Sequence, residues 1–98
     1  MTLDEILQDI YALEDEMRTY DRKYGVLSET FYELYTTGEE PSDDAWLRDW
    51  TAWASAYKVW LRRRAQYQAA LRALGADAGP LSKLIEKNLR REPIPVPA

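Results

Sequence analysis

Residues 42–75, SDDAWLRDWTAWASAYKVWLRRRAQYQAALRALG, decide the fold. Within them Trp46, Trp50, Trp53, Tyr57, Trp60, Arg64, Tyr67, Leu71 and Leu74 alternate at spacings of four and three, the period of one helix face rather than of a strand. Ser42 stands where a cap is needed, Asp43 and Asp44 suit a first turn, and Gly75 suits the stop. At 1.5 Å per residue this predicts a helix about 45 Å long carrying an a/d seam. Arg64 is out of keeping at an a position, where it would snorkel outward, pair with an acid, or set register.

Such a seam needs a partner, and the N-terminus offers one. Leu3, Ile6, Ile10, Leu13, Met17, Tyr20 and Tyr24 repeat at three and four, with Leu7 widening the stripe. Thr2-Leu3-Asp4-Glu5 reads as a capping box and Gly25 as the stop. Between the long helices a short one is expected, capped by Ser28 with Glu29 in its first turn, burying Leu27, Phe31, Leu34 and Tyr35 and ending at Gly38. After Gly75, Pro80 would open a short fourth helix with Leu81, Leu84, Ile85 and Leu89 on one side. Pro93, Pro95 and Pro97 exclude helix from the end, which reads as a polyproline-like tail.

The expected fold is therefore all-α: an antiparallel hairpin of two long helices with short second and fourth helices. Residues 1–91 form a single helical domain and 92–98 a proline-rich flexible tail. With Tyr24 level with Trp46, Met17 meets Trp53, Ile10 meets Trp60, and Asp9 and Arg63 both fall at g and can pair.

Two helices do not cover so wide a stripe. Leu47, Ala54 and Leu61 line the e side of the long third helix, and Ala56 and Ala70 the g side. Large aromatics bury about 150–250 Å² each, so the uncovered flank calls for another layer. The fourth helix, a second copy completing a four-helix bundle, or a different protein would supply it. The stripe of Trp46, Trp50, Trp53, Tyr57 and Trp60 reads first as core or homodimer core and second as a hetero-interface.

Composition narrows the chemistry. The 98 residues hold no Cys and no His, which excludes disulfides, the usual zinc sites, thiol chemistry and imidazole catalysis. No nucleophile–base pair, phosphate loop or calcium-loop spacing is present, so no catalytic, cofactor or metal residues are assigned and a non-enzyme is expected. No apolar run is long enough to span a membrane and the N-terminus is acidic, which points to a cytoplasmic protein.

The net charge of −4 is unevenly laid out. Residues 25–45 hold six acids and no base, whereas residues 46–75 hold six bases and one acid. An acidic whole disfavours nucleic acid and suits a basic protein partner. Arg62, Arg63 and Arg64, with Arg72, Lys83, Lys87, Arg90 and Arg91, would be the patch for RNA, but the run spans three helix faces and lacks a reading motif.

One stretch carries a resemblance. Lys23-Tyr24-Gly25-Val26-Leu27-Ser28-Glu29-Thr30-Phe31-Tyr32-Glu33, then Gly38-Glu39, Asp43-Asp44, Trp50-Thr51-Ala52-Trp53 and Tyr57, resembles small bacterial antitoxin components of type II toxin–antitoxin pairs. The likeness covers about residues 20–65 and ends before Gly75. It implies a noncatalytic protein that neutralises a small toxin, often an RNA-cleaving one, and puts Tyr24, Gly25, Ser28, Phe31, Tyr32 and Trp53 at motif positions. No operator-binding element accompanies it, which argues against autorepression by this chain alone. The expected surface is Trp46, Trp50, Trp53, Tyr57, Trp60, Phe31, Tyr32, Leu84 and Ile85, occluding a partner. The alternatives are a self-assembling structural bundle and an RNA-binding protein.

Overall fold

The computed structural model describes residues 1–73 and 81–89, in four helices: α1 (Leu3–Tyr24), α2 (Ser28–Tyr35), α3 (Asp44–Ala73) and α4 (Leu81–Leu89). The expected stop at Gly75, the opening at Pro80 and the 92–98 tail lie outside the described residues. No strand occurs among the described residues, so the chain is all-α. No described helix is long and apolar enough to cross a membrane.

The chain divides into two compact units, Tyr11–Leu61 and a second made of Met1–Ile10 with Arg62–Ala98. The second unit opens on the expected capping box. The Glu5 amide donates to Thr2 Oγ1 at 3.2 Å and the Thr2 amide to Glu5 Oε1 at 2.9 Å. The Thr2 amide that donates to it, and after that the Thr2 hydroxyl, hold the Glu5 carboxyl below its ordinary value. Leu3, Ile6, Ile10 and Ala70 are its buried apolar side chains. Arg63 Nε donates to Asp9 Oδ2 at 2.9 Å, the pairing that the heptad register requires, and Arg63 also donates to Gln66. Arg64 is exposed, as snorkelling from an a position predicts.

In the Tyr11–Leu61 unit, α1 and α3 run antiparallel: Tyr24 lies against Trp46, while Glu14 accepts from the Trp60 indole. Gly25 ends α1 with φ +69°, a left-handed turn that only glycine adopts without strain, and its amide closes on the Asp21 carbonyl. The chain then returns as α2 across α1 and α3. Met17, Phe31, Trp53, Ala54 and Ala56 form the buried core, with Tyr20, Tyr24, Tyr32, Trp50 and Tyr57 packed around it. Trp53 is 1% exposed. Its ring stacks on Phe31 at 3.8 Å and on Tyr20 and Tyr24 at 5.7 and 5.8 Å. Full burial of one such indole stabilises by roughly 4–6 kcal/mol in transfer terms.

Three local expectations are corrected. Leu27, in an extended conformation, is the N-cap of α2, and Ser28 is the first helical residue with its side chain turned inward. Asp43, not Ser42, caps α3: its Oδ1 accepts from the amides of Ala45 and Trp46 at 2.7 and 3.3 Å. Of the expected face of α2, Phe31 and Tyr35 pack inward as expected, but Leu27 and Leu34 are exposed, and Ser28 and Tyr32 take their place against the core. The wide stripe of α3 is left partly uncovered, as expected: on its e side Ala54 is buried, while Leu47 and Leu61 stay exposed. The burial patterns of α2 and of the e side of α3 have one cause. α2 lies over the e side of α3 near Trp53 and Tyr57, so it covers Ala54 and leaves the residues a turn or two away outside.

Candidate functional site

Trp53 anchors the site from below. Its indole N–H is buried and cannot reach water, so it needs an acceptor inside the protein. Ser28 Oγ accepts that bond at 2.8 Å and donates its own proton to Asp21 Oδ1 at 2.6 Å. One hydroxyl thus ties α1, α2 and α3 together, and through Trp53 it fixes the position of Phe31. A second tie joins the end of α1 to α3. Asp49 Oδ2 accepts from Lys23 Nζ at 2.6 Å and from the Tyr24 hydroxyl at 2.5 Å. These donors, Lys23 foremost, hold the Asp49 carboxyl below its ordinary value, and the same bond raises Lys23. Tyr24 is raised first by burial and then by Asp49.

Above this floor lies an open cleft of about 260 Å³. Buried Phe31 and Trp53 floor it, and Tyr24, Val26, Leu34, Tyr35, Trp46 and Trp50 complete its apolar lining. Trp46 stacks on Trp50 at 6.1 Å and meets Tyr24 edge-on. Trp46 is 45% exposed and Leu34 57%. Among the described residues neither the Trp46 nor the Trp50 indole N–H has a protein acceptor, unlike those of Trp53 and Trp60. Glu39, which is exposed, is the one charged group among the described residues of the lining.

The nine residues expected to face a partner therefore separate. Trp46 and Trp50 stand on the cleft wall. Phe31 and Trp53 are core and can act only by shaping the floor. Tyr32, Tyr57 and Trp60 are half-buried and form a ladder, Tyr32 on Tyr57 and Tyr57 on Trp60, away from the lining. In the other unit, Leu84 is half-buried and Ile85 is 46% exposed. Tyr24, Val26, Leu34, Tyr35 and Glu39 line the cleft without belonging to the surface expected from the sequence. Leu34 reads as core from α2 alone, and only the crossing of α2 over α3 turns it to the cleft rim.

Among the described residues the lining has no nucleophile–base pair, paired carboxylates or metal-ligand set, and its volume lies below the roughly 300–1,000 Å³ of ordinary small-molecule pockets. What it can do physically is seat one or two side chains of another molecule. No protein-family model, curated protein or solved structure matches the chain.

Proposed function

We propose that this chain is a noncatalytic protein-binding module, an antitoxin-like inhibitor that neutralises a small toxin by occlusion, with the aromatic cleft between α2 and the start of α3 as the docking face. The observation that carries the reading is Trp46: a large indole left 45% exposed beside a preformed apolar cleft. Interface hot spots are built in this way, from Trp and Tyr around a pocket that water leaves on binding. The antitoxin assignment rests on the sequence resemblance over residues 20–65. Its motif residues Gly25, Ser28, Phe31 and Trp53 shape the corner beneath the cleft, so a shared motif would preserve a shared docking face.

A pull-down from the cells of origin tests it, with the tagged wild-type chain beside Trp46→Ala and stoichiometry read by mass spectrometry. Circular dichroism should find the variant folded, because truncating a half-exposed side chain costs about 1 kcal/mol. The expected result is a near-equimolar small protein retained by wild type through moderate salt and lost with Trp46→Ala. Recovery of the chain alone, as a defined dimer, would favour self-assembly instead. Outward-facing Leu81, Ile85 and Leu89 on α4 are the observation that favours that second reading.

A further inference from the structure

Of the elements that line the cleft, α2 with its two flanking segments carries acids alone, while the end of α1 brings Arg22 and Lys23, the latter paired with Asp49, and the start of α3 brings Arg48. Residues 25–45, which make up α2 and the approach to α3, hold six acids and no base. Glu29, Glu33, Glu39, Glu40 and Asp44 are exposed, and none forms an ion pair among the described residues. Elsewhere in the same unit acids do meet bases: Arg18 pairs with Glu14 and Asp15, and Lys23 with Asp49. The apolar cleft thus has one carboxylate in its lining, exposed Glu39, and it sits on a segment whose other acids the fold leaves without an ion pair among the described residues.

We infer that the occupant of this cleft is a cationic amphipathic segment of the partner protein. One or two of its apolar side chains would enter between Trp46 and Leu34, with its Lys or Arg side chains over the acidic rim. The inference rests on the docking reading above and adds the partner's chemistry to it. Three observations select this occupant. The cleft volume of about 260 Å³ suits side chains rather than a cofactor. Unneutralised carboxylates around an apolar centre raise the local concentration of cations and speed their encounter. Indole faces at Trp46 and Trp50 also attract guanidinium and ammonium groups, by about 0.5–1 kcal/mol at exposed sites. The same charges disfavour the other occupants. Nucleic acid would bring phosphates against carboxylates, and a two-fold dimer through the cleft would set Glu39 and the acidic segment around it against their own copies.

The test uses three synthetic amphipathic helical peptides of roughly 14 residues. All share one Leu face, and the polar face is Lys in the first, Gln in the second and Glu in the third. Each is titrated into the full-length chain labelled with 15N, following the four indole N–H resonances. Expected is a saturable shift of the Trp46 and Trp50 signals with the Lys peptide, while Trp60, held by Glu14, stays in place. The Gln peptide should bind more weakly and the Glu peptide at least about tenfold more weakly, as one-sided charge repulsion demands. Glu39→Gln should weaken the Lys peptide about two- to five-fold, the worth of an exposed ion pair.

Equal shifts from the Lys and Gln peptides would overturn the charge selection and leave the docking reading standing. Shifts only outside Trp46 and Trp50 would overturn the inference by placing cation binding elsewhere on the acidic surface. No shift with any peptide would overturn it too. The docking reading then stands or falls separately, on whether Trp46→Ala loses the captured partner. Head-to-tail self-association at the same signals, without peptide, would replace it with a second copy.

Discussion

Ser28→Ala should cost far more than its surface chemistry suggests. The change removes the acceptor of the Trp53 indole N–H, which has no route to water at 1% exposure, and the donor to Asp21. A stranded buried donor costs about 1–3 kcal/mol, whereas half-buried Asp21 can recruit water. A loss of about 2 kcal/mol follows, or roughly 8–16 °C in Tm for a domain of this size. Urea denaturation followed by circular dichroism reads it.

Loss of a helix cap would give a similar number, so two further variants separate the explanations. Aspartate is among the best N-caps, yet Ser28→Asp here would bury a second carboxylate where Ser28 now bonds Asp21 at 2.6 Å, and should destabilise by several kcal/mol. In a Trp53→Phe background no indole N–H remains to be stranded, and Ser28→Ala should then cost under about 1 kcal/mol. A wild-type-like Ser28→Asp, or an undiminished Ser28→Ala cost beside Phe, would refute the hydroxyl tie.

Asp49 should shape the acid limb of stability. Because its folded value is lowered by Lys23 and Tyr24, its contribution is present above the ordinary carboxylate value near pH 4 and is lost as pH falls through the lowered one. Asp49→Asn should therefore lower urea midpoints at neutral pH and flatten their dependence below about pH 4. Breaking the Asp9–Arg63 pair in a double-mutant cycle should give a coupling of about 0.2–1 kcal/mol that shrinks with salt, since Asp9 is 45% exposed; zero coupling would reduce the pair to a geometric coincidence. Gly25→Ala should cost about 1–2 kcal/mol through its φ of +69°, because no atom lies within 4 Å of the added Cβ; an unchanged thermal midpoint would contradict that origin.

Legibility in the sequence followed the range of each interaction. Local rules were enough for the Thr2–Glu5 capping box, the glycine stop at Gly25 and the two heptad seams. Register extended that reach to the Asp9–Arg63 pair, because aligning two periodic helices aligns every residue on them. Ser28 shows where local reasoning ends. A serine before an apolar helix is most simply a cap, and nothing nearby announces that an indole 25 residues later will need its oxygen. Trp46 shows the same limit from the other side. Periodicity places it on the seam, but α1 ends at Tyr24, so the seam has no α1 turn beyond that residue to cover the indole. The cleft depends on that mismatch and on the crossing of α2, which turns Leu34 outward and Tyr32 inward, and a one-dimensional pattern contains neither.

The docking face is tested most directly by placing a photo-crosslinking phenylalanine analogue in the full-length chain at Trp46, at Leu34 or at Tyr11, and irradiating the living cells of origin. Tyr11 is 58% exposed and lies outside the cleft lining, so it controls for mere accessibility. The account predicts one covalent adduct, to the same second protein, from positions 46 and 34 and none from 11. Adducts of equal yield at all three positions, or none at 46 and 34, would contradict it.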